Sequence, residues 1–136
     1  MILNDMVRQA LSSGRLAHLV SLNKDGSPHV SIVWVGLDAD EIVCAHQDFY
    51  QKLKNIQKDA RVALSMVTGG KTNGLDNYLV INGHARVTEG GAAELLNQLA
   101  QIYIAPGTIF APDGSPKGYV TRITAERIYG IGPWSG

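Results

Sequence analysis

The spacing of apolar positions divides the chain into elements. Leu3, Val7, Ala10 and Leu11 recur at helical spacing, Asn4 or Asp5 stands where a cap is needed, and Gly14 can stop the helix in a left-handed conformation. This predicts a helix over 4–13. Leu16 to Asn23 is strand-like, Lys24-Asp25-Gly26 is a turn signal, and Ser27 to Leu37 resumes as a second strand, so the two form a hairpin. The turn Asp38-Ala39-Asp40 leads into a third strand, Glu41 to Ala45.

Beyond it the period changes. Asp48 can cap a helix running through Lys58, with Phe49, Leu53 and Ile56 on one face, and Arg61 to Thr68 then alternates as a fourth strand. The polar segment 69–74 reads as a flexible loop. Asn77 to Thr88 is a fifth, long strand interrupted by Asn82-Gly83, as at a bend or bulge. Leu95, Leu96, Leu99, Ile102 and Tyr103 mark a third helix, the Pro- and Gly-rich stretch 105–118 is a loop, and Tyr119 to Ile131 is the last strand.

Six antiparallel strands with a few short helices predict a mainly β (α+β) fold, a small barrel or strongly bent sheet, because closure removes exposed edges. A chain of 136 residues suits one domain spanning 1–136.

Composition narrows the function classes. Charged residues make up 18% of the chain, below the usual quarter, which leaves surface for a partner or ligand, and a subunit interface is the simplest use of it. Twelve Lys and Arg balance twelve Asp and Glu, which argues against nucleic acid or an anionic membrane as partner and makes any anion site local. The single cysteine, Cys44, lies in an apolar run, so a reduced buried thiol and a cytoplasmic location are expected. The start of the chain lacks a signal-peptide pattern, and no window is long and apolar enough to span a bilayer. His18, His29, His46 and His84 are scattered without metal-ligand spacing, so no metal is expected, and His18 and His84 read as structural.

The helix after the third strand carries the most chemistry. Lys52 and Asn55 lie three apart and project together from a flank beside the apolar face, where an ammonium and an amide can grip a phosphate, with backbone N–H groups at the helix start as further donors. The same pattern is also that of a solvated basic face on an ordinary surface helix, and by itself it more often is.

Three motifs in order shift that balance. Asp25-Gly26-Ser27-Pro28-His29-Val30-Ser31, then Lys52-x-x-Asn55-Ile56-x-x-Asp59-Ala60-Arg61-Val62, then Gly83-His84-Ala85-Arg86-Val87 make the chain resemble the pyridoxamine-phosphate-oxidase-like split-barrel superfamily over nearly its whole length. The short chain and the ending Arg127-Ile128-Tyr129-Gly130-Ile131-Gly132-Pro133-Trp134 resemble the branch that uses the 5-deazaflavin coenzyme F(420). The resemblance implies a six-stranded antiparallel split β-barrel working as a homodimer, with the cofactor in a groove between subunits. It implies that Lys52, Tyr50, Asn55 and Ile56 hold the phosphate-bearing tail, that His29 and Ser31 border the ring system, and that Asn77 and Tyr78 also meet the cofactor.

The implied activity is hydride transfer from reduced coenzyme F(420) to a conjugated small-molecule acceptor. FMN in the same barrel, or a non-catalytic carrier of the cofactor, are the alternatives. Tyr50 stands where many members have Arg, Ala60 replaces a common Pro, and the basic C-terminal segment of true pyridoxamine phosphate oxidases is missing, which argues against vitamin B6 chemistry. No nucleophile triad is present, so orientation and exclusion of water are the protein's expected contribution, with Tyr78 and His46 as candidate proton donors and solvent as the alternative. Trp34 and Trp134 read as core or interface anchors, Tyr129 and Trp134 as residues able to reach a neighbouring subunit, and the loop 69–74 as a cover for the cofactor.

Overall fold

The computed structural model describes residues 1–135. Helix α1 (Asp5–Leu11) is capped as its sequence suggests: the Asn4 side chain accepts from the Val7 N–H at 2.9 Å, and Val7, Ala10 and Leu11 are buried. Strands β1 (Ala17–Leu22) and β2 (Pro28–Val33) form the expected hairpin, in which Asp25 Oδ1 accepts from the Ser27 N–H and Gly26 takes a positive φ of 86°.

The segment Ser27–Leu37, read as one strand, is two. It breaks at Trp34-Val35 into β2 and β3 (Gly36–Asp38), which raises the strand count from six to seven. The remaining elements are β4 (Glu41–His46), α2 (Gln51–Lys58), β5 (Arg61–Thr72), β6 (Leu75–Glu89), α3 (Ala92–Tyr103) and β7 (Tyr119–Tyr129). The seven strands among the described residues form one antiparallel sheet in the order β2-β1-β5-β6-β7-β4-β3.

That order explains the break. β2 and β3 are the two edges of the sheet, yet only residues 34 and 35 separate them. Three Cα steps of about 3.8 Å span at most about 11 Å, so the sheet must curl until its edges nearly meet. The result is the mainly β, strongly bent sheet anticipated from the strand pattern, of the split-barrel kind that the resemblance implies, open along a seam crossed by Trp34. Inside it lie Leu19, Ile42, Leu64, Leu79, Ile81 and Ile123, all essentially inaccessible to solvent.

Two glycines govern the strand geometry. The register between β6 and β7 shifts between Asn82 and Gly83, the bulge read from the sequence, and a Cβ at Gly83 would run into the Thr124 carbonyl oxygen. The stretch 69–74 is not a free loop. Strands β5 and β6 continue through it to a tight turn at Asn73 and Gly74, both with positive φ (51° and 80°), and Lys71 pairs with Asp76 across the hairpin.

No helix among the described residues is long and apolar enough to cross a membrane.

Candidate functional site

A cleft of about 320 Å³ opens at the seam of the barrel. The end of β2 supplies Ile32 and Val33, Trp34 crosses the gap, and the end of β4 supplies Ala45 and His46. Tyr50 and Lys52 come from the start of α2, and Leu96, Leu99 and Phe110 from α3 and the segment after it. Among the described residues, Lys52 is the one cation in this lining and no carboxylate shares it.

Helix α2 presents that cation in an unusual setting. Asp48 does not cap it; its carboxylate accepts from the adjacent Phe49 N–H, and Tyr50 occupies the cap position without a side-chain hydrogen bond to the helix. The first N–H groups are therefore left for another partner. Lys52 Nζ lies 5.6 Å from the centroid of the Tyr50 ring, a cation–π contact, and burial holds its pKa below the ordinary lysine value. Leu53 and Ile56 anchor the opposite side of the helix in the core.

The predicted Lys52–Asn55 flank divides. Lys52 faces the cleft, whereas Asn55 is 3% exposed and turned toward β1. Its Nδ2 donates to Ser21 Oγ (3.2 Å) and Asn23 Oδ1 (2.9 Å), while its Oδ1 accepts from Gln51 Nε2 (2.9 Å). These bonds tie α2 to the base of the β1–β2 hairpin. Ile56 is buried in the core rather than in the cleft.

His46 is buried in the cleft wall with Nε2 2.8 Å from Thr121 Oγ1. Burial first, and the Lys52 charge second, push its pKa down to about 3, so the ring is neutral at physiological pH. Cys44 is fully buried beneath, its pKa pushed up to about 12 by the same desolvation, and it is an unreactive thiol.

The other predicted residues lie outside this cleft within one chain. His29 and Ser31 are half-buried on β2, and Ser31 Oγ is buried with no hydrogen-bond partner. Asn77 accepts from the Thr72 hydroxyl at 2.7 Å, and Tyr78 stands on the outward face of β6. Cross-strand register puts Tyr78 on the same face as Val30, Ile32, Val67 and Tyr129, all between 41% and 61% exposed. This apolar face has no partner among the described residues, and Ile32 belongs both to it and to the cleft. Trp134 is buried, donating its indole N–H to the Tyr78 carbonyl at 2.8 Å, which makes it a core anchor.

Sequence reasoning missed Leu96, Leu99 and Phe110 as cleft residues, and it read Trp34 as a core or interface anchor rather than as part of the cleft. For Phe110 there was a signal: an aromatic residue in an otherwise small, polar and Pro/Gly-rich segment.

Comparison with known proteins agrees with this architecture. Residues 3–132 match the sequence profile of the pyridoxamine 5'-phosphate oxidase family. Similar folds include an F420 reductase (TM-score 0.73, 20% identity, covering 90% of this chain and 94% of that one). They also include HupZ of Group A Streptococcus (0.68, 22%, 98% and 99%) and a putative pyridoxamine 5'-phosphate oxidase from Listeria innocua (0.69, 20%, 93% and 96%). At these identities the likeness speaks for the fold. No curated protein matches the sequence.

Proposed function

The chain belongs to the pyridoxamine 5'-phosphate oxidase family, and from that membership and the chemistry of the cleft we propose that it is an oxidoreductase using coenzyme F(420). In this reading it delivers hydride from the reduced deazaflavin to a conjugated organic acceptor such as an enone, quinone or tetrapyrrole. The observation that carries the reading is Lys52: a half-buried ammonium in a cleft without a carboxylate, beside a helix start that no side chain caps. Burying an unpaired cation costs free energy, and a phosphate at Nζ would offset that cost.

The residues present suit a phosphate-bearing cofactor. Lys52 Nζ, the Tyr50 hydroxyl and the N–H groups of Gln51 and Lys52 hold the tail. His29 and Ser31 border the ring, and the unpartnered Ser31 hydroxyl has a hydrogen bond to offer there. Asn55 and Ile56 serve by fixing α2 rather than by touching the ligand.

A second copy of the chain completes the groove. The apolar face of Val30, Ile32, Val67, Tyr78 and Tyr129 is the pairing surface, and because Ile32 also lines the cleft, pairing brings the groove to the interface. Each copy then offers Asn77 and Tyr78 to the other. A bound 5-deazaflavin supplies the hydride. The protein orients the partners and excludes water. With His46 held neutral by burial, Tyr78 across the interface, or solvent, is the proton source for the reduced acceptor.

Titration calorimetry with F(420) and with FMN tests the proposal. Tighter binding of F(420), at one site per chain, is expected; stronger FMN binding would exchange the two cofactors, and no heat with either would end the proposal. Oxidation of reduced F(420) only when an acceptor is added distinguishes an enzyme from a carrier.

A further inference from the structure

Away from the cleft, three hydrogen-bond donors gather near the end of the β5–β6 hairpin. The register runs Val67↔Tyr78 and then jumps to Lys71↔Asp76, so β5 carries extra residues, and Gly69 and Gly70 absorb them with positive φ (82° and 78°). A Cβ at Gly69 would lie 2.5 Å from Arg15 Nη2, and one at Gly70 3.3 Å from Asn77 Nδ2. The guanidinium and the amide therefore both close on bare backbone. Beside them is Thr68, whose Oγ1 is buried with no hydrogen-bond partner.

The sheet aligns these three residues. β1, β5 and β6 are neighbours, and the pairings His18↔Ser65 and Val67↔Tyr78, continued by one alternation, set Arg15 beside Thr68 and Thr68 beside Asn77. They share the inward face, since Ala17, Met66 and Leu79, two positions deeper on each strand, are all buried. Neighbouring strands lie about 4.8 Å apart, so the Arg15 and Asn77 side chains reach toward Thr68 from either side. Asn77 Oδ1 accepts from the Thr72 hydroxyl at 2.7 Å, which leaves Nδ2 as the end turned to Gly70. Arg15 forms no ion pair among the described residues, although its backbone is held by the Tyr103 hydroxyl donating to its carbonyl at 2.8 Å. None of the three lines the cleft.

We propose that Arg15, Thr68 and Asn77 form a second binding site, which takes the carboxylate of a small, singly charged organic acid. A guanidinium grips a carboxylate through two parallel N–H···O bonds, and a hydroxyl and an amide N–H complete the donor set. Lys71 is paired with Asp76 at 3.6 Å, so Arg15 brings a single uncompensated positive charge, which suits a monoanion better than a phosphate dianion. Ile102, 53% exposed and packed on Gly14 next to Arg15, gives the body of the acid an apolar surface. The Thr68 hydroxyl is closed to solvent, so binding lifts the exposed Arg15 side chain off Gly69, and the ligand relieves the cost of a buried hydroxyl without a partner. The site is built within one chain and holds whether or not the cleft takes F(420).

The test titrates cofactor-free, 15N-labelled protein with benzoate, with benzamide and with inorganic phosphate, following the amide signals of residues 68–70 and of Ala45 and Lys52 in the cleft. Saturable shifts at 68–70 with benzoate are expected, with none from benzamide, which has the shape without the charge, and weaker binding of phosphate there. Because Asn77 also serves the cofactor reading, the variants are made at Arg15 and Thr68. Arg15→Gln, at an exposed position, should weaken benzoate by at least about tenfold. Thr68→Val should weaken it by about threefold or more and leave Tm at or above wild type, because the hydroxyl it removes has no partner in the fold. No saturable shift at 68–70, shifts centred on the cleft, benzamide binding as tightly as benzoate, an unchanged Kd in Arg15→Gln, or a lowered Tm in Thr68→Val would each overturn the site. Phosphate binding more tightly than benzoate at 68–70 would overturn the carboxylate assignment. Calorimetry with F(420) reads the cleft separately, so failure of one site is distinguishable from failure of the other.

Discussion

Asn55 Nδ2 donates to Ser21 Oγ at 3.2 Å, and both residues are almost wholly buried, at 3% and 1% exposure. One wall of the cleft is thereby tied to the other, since α2 carries Tyr50 and Lys52 and the β1–β2 hairpin leads into Ile32 and Trp34. Asn55→Ala strands the buried Ser21 hydroxyl and removes the link to Asn23. A loss of about 1–3 kcal/mol is expected in urea unfolding, with the slope unchanged. Stability equal to wild type would show that the link is dispensable.

Lys52→Ala leaves the fold intact, because the side chain is only half-buried and its ammonium has no partner in an ion pair among the described residues. Cofactor affinity should fall by about 1.5–3 kcal/mol, the scale of a charge-assisted phosphate contact. Calorimetry measures it directly, and raised ionic strength should shrink the difference.

His46 gives the fold a defined acid sensitivity. Its folded pKa is depressed from 6.5 to about 3, so protonation favours the unfolded chain. The stabilising contribution is complete above pH 6.5 and is lost as pH falls toward 3, at about 1.4 kcal/mol per pH unit within that window. Asp25 and Asp59, whose pKa values are lowered by bonds to Ser27 and to Arg61, add their own losses at the acid end. His46→Gln can keep a hydrogen bond to Thr121 without the titration, and its stability should decline less steeply than wild type between pH 6.5 and 4.5.

Val67 stands 61% exposed on the apolar face and is not among the residues lining the cleft. In a dimer paired through that face, Val67→Asp buries an unpaired carboxylate at a cost of about 3–5 kcal/mol. Sedimentation should show wild-type dimer and variant monomer at the same concentration. A variant that remains dimeric would move the interface elsewhere.

Local signals in the chain were sufficient for much of this molecule. The Asn4 cap, the Asp25-Gly26 turn, the alternation along Arg61–Thr68 and the bulge at Asn82-Gly83 each depend on residues within a few positions of one another. The Asn73-Gly74 turn was equally legible, being a tight-hairpin dipeptide, but the glycines before it suggested a loop until the pairing of Lys71 with Asp76 extended both strands. Lys52 lines the cleft, but its helical spacing alone matched a solvated basic face as well, and only the order of the three motifs singled it out.

What the chain does at a distance came only from the tertiary structure. Ser27–Leu37 alternates as one strand, and nothing within it says that β2 and β3 pair at opposite edges of the sheet; closure of the barrel requires the break at Trp34-Val35. Asn55 was drawn inward by Ser21 and Asn23, more than thirty positions away, and Phe110 was fixed by Asn97 on a helix whose periodicity shows only its buried side. Periodicity reports which face of an element is buried, because that depends on the element alone. Which polar group meets which depends on how elements of the whole chain pack, and no local pattern carries that information.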